Sequence, residues 1–119
     1  MPGRSKRIPI LRGDDGELIG YVSQETSSWT AMTIFGYIMA RAESEEAATS
    51  VVRSEGPRYV DGVWRYYDKT DKDWFSCTIK EAYEHKVVVR RTNDLGYEDL
   101  ASYKLVTLND PDESSLQKA

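Results

Sequence analysis

The run WFSCTI, residues 74–79, narrows the folds open to this chain more than any other stretch. Phe75, Cys77 and Ile79 fall on one side of an extended backbone, and Trp74, Ser76 and Thr78 on the other. Side chains alternate at period two along a strand, so the pattern belongs to a strand with one face in a core. After the polar break KEAYEH comes KVVVRR, residues 86–91, whose β-branched run is the strongest strand signal in the sequence. If both strands commit their apolar faces to one core, Phe75, Ile79, Val87 and Val89 are buried together.

The other elements follow from the same kind of signal. RIPILR (7–12) and ELIGYVS (17–23) flank GDDG, which marks a hairpin. Pro9 lacks an amide donor, and this places its strand at a sheet edge. WTAMTIFGYIMARA (29–42) admits an amphipathic helix or two strands meeting at Phe35-Gly36. Its alternation favours strands, and a mid-helix glycine costs about 1 kcal/mol relative to Ala. SEEAATSVVRSEG predicts one short helix over 44–55. Ser44 is its N-cap, Glu45 and Glu46 meet the positive end of its dipole, and Ala47, Ala48, Val51 and Val52 form its apolar stripe. Gly56 and Pro57 read as its stop. Beyond Pro57 only strands are expected. RYV-DG-VWRYYD carries an Asp-Gly pair that signals either another hairpin or a strand entry, and SYKLVTL (102–108) ends the series. DKTDKD (68–73) and TNDLGYED (92–99) are the loops between them. The fold class is α+β, mostly antiparallel β with one helix.

Composition enters as a set of exclusions. A chain of 119 residues makes one domain, or two small subdomains sharing a core. Eight Tyr and three Trp are not a disordered composition. A net charge of -4 argues against general duplex binding, though a local basic patch stays open. Cys77 is the one cysteine, so no internal disulfide forms. An intracellular, reducing compartment is expected, cytoplasmic rather than nuclear. No apolar run approaches the roughly 18 residues of a membrane span. The basic start MPGRSKR leads into no apolar segment, so neither a membrane nor a secretory role is expected.

From Val60 to Leu108 the chain resembles a small SH3-like barrel of the Tudor or agenet kind. The resemblance rests on Trp74-Phe75 opening a strand that continues through Cys77 and Ile79, then on Val87 to Val89. It continues in the acidic loop Asp94-Leu95-Gly96-Tyr97 and in the spaced leucines Leu100, Leu105 and Leu108. It implies five strands: VWRYYD, WFSCTI, KVVVRR, a short strand at ED (98–99) and KLVTL. The sequence departs from the pattern at Leu95, where an aromatic is expected, and at Tyr97, where Asn is common. The expected organisation is a flexible arm (1–6), N-terminal hairpins plus helix (7–56), an SH3-like barrel (57–108) and a disordered tail (109–119).

The resemblance implies an interaction module that binds a protein or peptide through a basic or methylated side chain. Aromatic cages hold such cations by attraction to ring faces. Tyr66, Tyr67, Trp74 and Tyr97 are the candidate rings; Asp94, with Glu98 and Asp99, supplies negative charge. The bland alternative is that these rings only cover the barrel mouth or pack against the N-terminal half. Arg65, Lys86, Arg90 and Arg91, with Tyr66 and Tyr83 nearby, raise a second alternative, single-stranded RNA or other nucleic acid. The plain explanation for them is a solvated strand face paired with acids such as Glu81 and Glu84. Catalysis has little support. His85 is the sole histidine and lies in a polar turn, and Cys77 faces a core where thiols are inert. No metal spacing, nucleophile elbow or phosphate loop occurs, and no cofactor is expected.

Overall fold

A computed structural model describes residues 7–98 and 105–119. Expectations placed on residues 1–6, Asp99 and Leu100, and the start of the SYKLVTL strand, lie outside the described residues. The chain is α+β: two antiparallel sheets and one helix, divided into two compact units, Met1–Val60 and Asp61–Ala119.

The first unit is a four-stranded meander, β1 (Arg7–Leu11), β2 (Leu18–Gln24), β3 (Trp29–Met32) and β4 (Ile38–Ala42), followed by α1 (Glu45–Tyr59). Sheet order is β1-β2-β3-β4, so Pro9 does sit in an edge strand. The disputed segment is extended. Thr33 to Tyr37 form its turn, with Gly36 at φ 89° and the Tyr37 N–H donating to Thr33 Oγ1 at 3.0 Å. A side chain at that φ is disfavoured, so the central glycine ends one strand and starts the next. One face of the sheet packs on the helix through Ile10, Val22 and Ala31 against Ala48 and Val52. Ser44 caps the helix as expected, its Oγ accepting from the Ala47 N–H at 3.1 Å.

The helix corrects the sequence reading at its other end. It runs through Gly56 and Pro57 to Tyr59 rather than stopping at 55. Gly56 is buried, and a β-carbon there would lie 3.4 Å from the Ile19 carbonyl oxygen. It lies inside the helix beside β2, does not adopt a positive φ, and is no left-handed stop. Pro57 removes one intrahelical bond near the end, which packing of the final turns outweighs. Consequently the boundary between the two parts falls after Val60 rather than after Gly56.

The second unit holds β5 (Trp64–Asp68), β6 (Asp73–Ala82), β7 (Lys86–Arg91), β8 (Leu105–Asn109) and β9 (Leu116–Lys118), in the order β8-β7-β6-β5-β9. The Asp-Gly pair before Trp64 is a strand entry, with Gly62 at φ 89°. Register puts Trp64, Tyr66, Phe75, Cys77, Ile79, Val89, Arg91 and Leu116 on one face. Val87 and Val89 on β7 are fully buried, as expected. Phe75 and Ile79 on β6 are only partly buried. The β6 ladder shifts register between Ile79 and Glu81, which bends the longest strand of the sheet.

Two expectations fail here. KLVTL is not the closing strand: it is β8, paired with β7. At the ED site Glu98 makes a lone bridge to Thr92. Residues 109–119 are not a disordered tail either. Asp112 closes a turn by accepting from the Ser115 and Leu116 N–H groups, and β9 then pairs with β5. Leu116 is wholly buried and, with the buried Pro111, anchors this largely polar stretch. Leu116→Ala should therefore cost about 2–5 kcal/mol by lost burial and residual cavity, read by urea unfolding. A change near zero would show that the terminal strand is not part of the cooperative fold.

Candidate functional site

The DKTDKD loop is organised by the carboxylate of Asp68, which is 4% exposed. Its Oδ1 accepts from the N–H groups of Thr70 at 2.9 Å and Asp71 at 3.0 Å. Its Oδ2 accepts from the Tyr66 hydroxyl at 3.2 Å and from Arg91 Nη2 at 2.9 Å. The same Arg91 nitrogen reaches Asp71 Oδ2 at 3.0 Å, and Arg91 Nε donates to the Tyr66 hydroxyl at 2.9 Å. The guanidinium lies 3.7 Å from the centre of the Phe75 ring. Burial, opposed by the bond from Arg91, pushes the Tyr66 phenol above its ordinary range. Tyr66 is thus a fully buried core ring, so its expected place in a ligand cage gives way to a structural one.

The opposite face of the sheet carries the other candidates. Tyr67 stands directly across from Trp74, and their rings meet edge to face, 5.7 Å between centroids at 66°. Both remain partly exposed. Ser76, two residues on, shares their face, and its hydroxyl donates to Asp94 Oδ1 at 2.8 Å. That bond fixes the 93–98 loop at the end of the sheet where the Asp68 loop lies. Asn93 Oδ1 accepts from the N–H groups of Leu95 and Tyr97, both at 3.0 Å, so the loop tip is a braced turn. Gly96, at φ 88°, closes it; a β-carbon there would fall 2.9 Å from Val63. The tip exposes Leu95 (77%) and Tyr97 (69%). Among the described residues neither Asp73 nor Asp94 has a cationic partner. The structure thus gathers Tyr67, Trp74 and Asp94 on one face, with Tyr97 on the loop beside them.

The basic candidates are scattered. Arg91 is spent in the Asp68 cluster on the opposite face, and Arg90 is buried with Nη1 3.0 Å from Glu98 Oε2. Glu98 also meets Lys80 at 2.7 Å, and that bond, aided by Arg90, holds its carboxyl below the usual range. Lys86 rests 5.0 Å from the Tyr83 ring at the far turn. Arg65 is exposed on the face of Trp74, opposite Ser76. These four cations do not form a continuous strip.

Cys77 is buried in mid-sheet opposite Arg91, and burial pushes its thiol up to about 12. His85 lies in the β6–β7 turn between Glu84, at 3.0 Å, and Asp110, at 3.3 Å. Among the described residues no group of three or more His, Cys, Asp or Glu could hold a metal, and no helix is long and apolar enough to cross a membrane.

A cleft of about 430 Å³ lies in the second unit, between β8, the 110–115 connection and residues 67–70. It was not anticipated from the sequence, because β8 and β5 are distant in the chain and only the β9 pairing draws them to one cleft. No protein-family model, curated protein or solved structure matches the chain.

Arg91→Lys keeps one charge but cannot bond Tyr66, Asp68 and Asp71 together. It should destabilise the chain by about 1–3 kcal/mol in urea unfolding, while Arg65→Ala stays within about 0.5 kcal/mol. Equal effects would mean that Arg91 is an ordinary surface cation.

Proposed function

We propose that the second unit is an SH3-like, Tudor-type interaction module that binds a basic or methylated side chain of a protein partner on the Tyr67–Trp74 face. The observation that carries this role is the partly exposed ring pair on the same face as a carboxylate, Asp94, that has no cationic partner among the described residues. A cation over an aromatic face gains about 0.5–2 kcal/mol per ring, most when water is excluded. Asp94 adds attraction, and Tyr97 on the braced loop offers a further ring. The barrel assignment draws support from strand order: the last strand returns to pair with the first of the five. The bent β6 and the cleft lined by both β8 and the end of β5 also favour a curled sheet. The buried free thiol is in keeping with a reducing compartment.

Nucleic acid is the weaker alternative, because Arg90 and Arg91 are held by Glu98, Asp68 and Asp71 within the fold. Calorimetric titration with lysine-rich peptides, unmodified and trimethylated, tests the proposal. Trp74→Ala should weaken binding by about 2–30-fold, the equivalent of one ring, without lowering stability comparably. An affinity unaffected by Trp74→Ala, or binding of a single-stranded oligonucleotide in preference to any peptide, would contradict it.

A further inference from the structure

β8 is an edge strand, so among the described residues one side of its backbone has no neighbouring strand. The Asp110 N–H donates to the His85 carbonyl, and Asn109 stands opposite Lys86. Bonded and non-bonded pairs alternate along an antiparallel ladder. Val87–Leu108 and Val89–Val106 are therefore bonded pairs, and the main-chain groups of Thr107 and Asn109 turn away from β7. Among the described residues neither of these two amides has a hydrogen-bond partner.

The cleft of about 430 Å³ lies against this edge. Val106, Thr107, Leu108 and Asn109 all line it. A strand seen on its face presents alternate residues, so four in succession mark an edge. The opposite wall, residues 67–70, begins at Tyr67, whose N–H makes the last bond to the C-terminal segment, at the Ser115 carbonyl. The cleft is a seam between two strand ends that no strand of the described residues fills. Its volume is within the range of about 300–1,000 Å³ usual for ligand sites.

We infer that this seam takes an extended, lysine-rich segment of a partner protein as an added strand on β8. Only an extended chain meets the outward groups of alternate residues, which is how peptides add to open sheet edges. Charge selects a basic occupant. Asp110 and Asp112 line the seam against one lysine, Lys69. The bonds from Ser114 hold the Asp112 carboxyl below its usual range, so it stays ionised. Tyr67 lines the seam and also makes the ring pair with Trp74, which joins the added strand to the aromatic face. The inference rests on the role proposed above and supplies its docking mode.

Amide hydrogen exchange on the full chain tests it, with an alternating lysine–threonine peptide as probe. Exchange at Thr107 and Asn109 should slow roughly tenfold or more on saturation, while Val106 and Leu108, already bonded to β7, do not change. Thr107→Pro removes an outward donor and no β7 bond; it should weaken the peptide by roughly tenfold, and Thr107→Ala should not. Peptide binding that leaves both amides unprotected overturns the seam and spares the aromatic site. Slowed exchange with undiminished affinity in Trp74→Ala supports the seam and overturns the aromatic role. No binding of the peptide overturns the seam, and the trimethylated peptide then decides the aromatic role separately. Protection that rises with protein concentration alone assigns the edge to a second copy, and equal protection by a glutamate–threonine peptide removes the basic occupant; either result overturns the inference.

Discussion

The second unit turns on the contact between Asp68 and Arg91. An ion pair withdrawn from water is costly unless its remaining polar positions are also satisfied. Here they are: the carboxylate accepts two backbone amides and a tyrosine hydroxyl besides the guanidinium. Arg91 meanwhile lies over the Phe75 ring and reaches Tyr66 and Asp71. These bonds tie the loop after β5 to the end of β7. They also commit Tyr66 to the inner face, which leaves its neighbour Tyr67 on the outer one. The division between a core ring and an outward-facing ring follows from this cluster together with the two-residue period of the strand.

A second constraint comes from the C-terminal strand. β9 is only three residues long, yet together with the Tyr67 N–H donating to the Ser115 carbonyl it covers the outer edge of β5 from Trp64 to Tyr67. Past that point β5 and β8 border one cleft. An unfilled edge is normally guarded by charge or cover. In this chain the guard is acidic, Asp110 and Asp112, and acidic residues repel like partners while admitting basic ones. The same feature that guards the edge is the basis on which a basic occupant is proposed for it.

Much of the fold was legible in local patterns, because turns and strands here are specified by residues close in sequence. The GDDG hairpin, the Phe35-Gly36 turn and the Ser44 cap all depend on neighbours within five positions. What was not legible depended on partners far along the chain. Gly56 and Pro57 carry strong stop signals, but Gly56 is buried against β2 and the helix continues. The polar tail gave no strand pattern, since one buried leucine and one buried proline suffice when β5 supplies the ladder. At the site, Tyr67, Trp74 and Asp94 could be named from sequence, whereas Tyr66, Arg90 and Arg91 could not be separated from them. Alternation assigns residues to opposite faces without saying which face holds the core at a loop edge. The Asx pattern of Asp68 within DKTDKD was a readable turn signal; its pairing with Arg91 was not, since that partner lies across two strands.

The most direct test of a basic-side-chain module is amide chemical-shift mapping on the full chain, titrated with a trimethyl-lysine peptide and, separately, a single-stranded oligonucleotide. The peptide should shift Tyr67, Trp74, Ser76 and the 93–97 loop most strongly, leave α1 unmoved, and produce shifts that diminish with salt as screened charge requires. Shifts confined to α1 and the first sheet, or an oligonucleotide response at Arg65 and Arg90 with none to the peptide, would contradict the account.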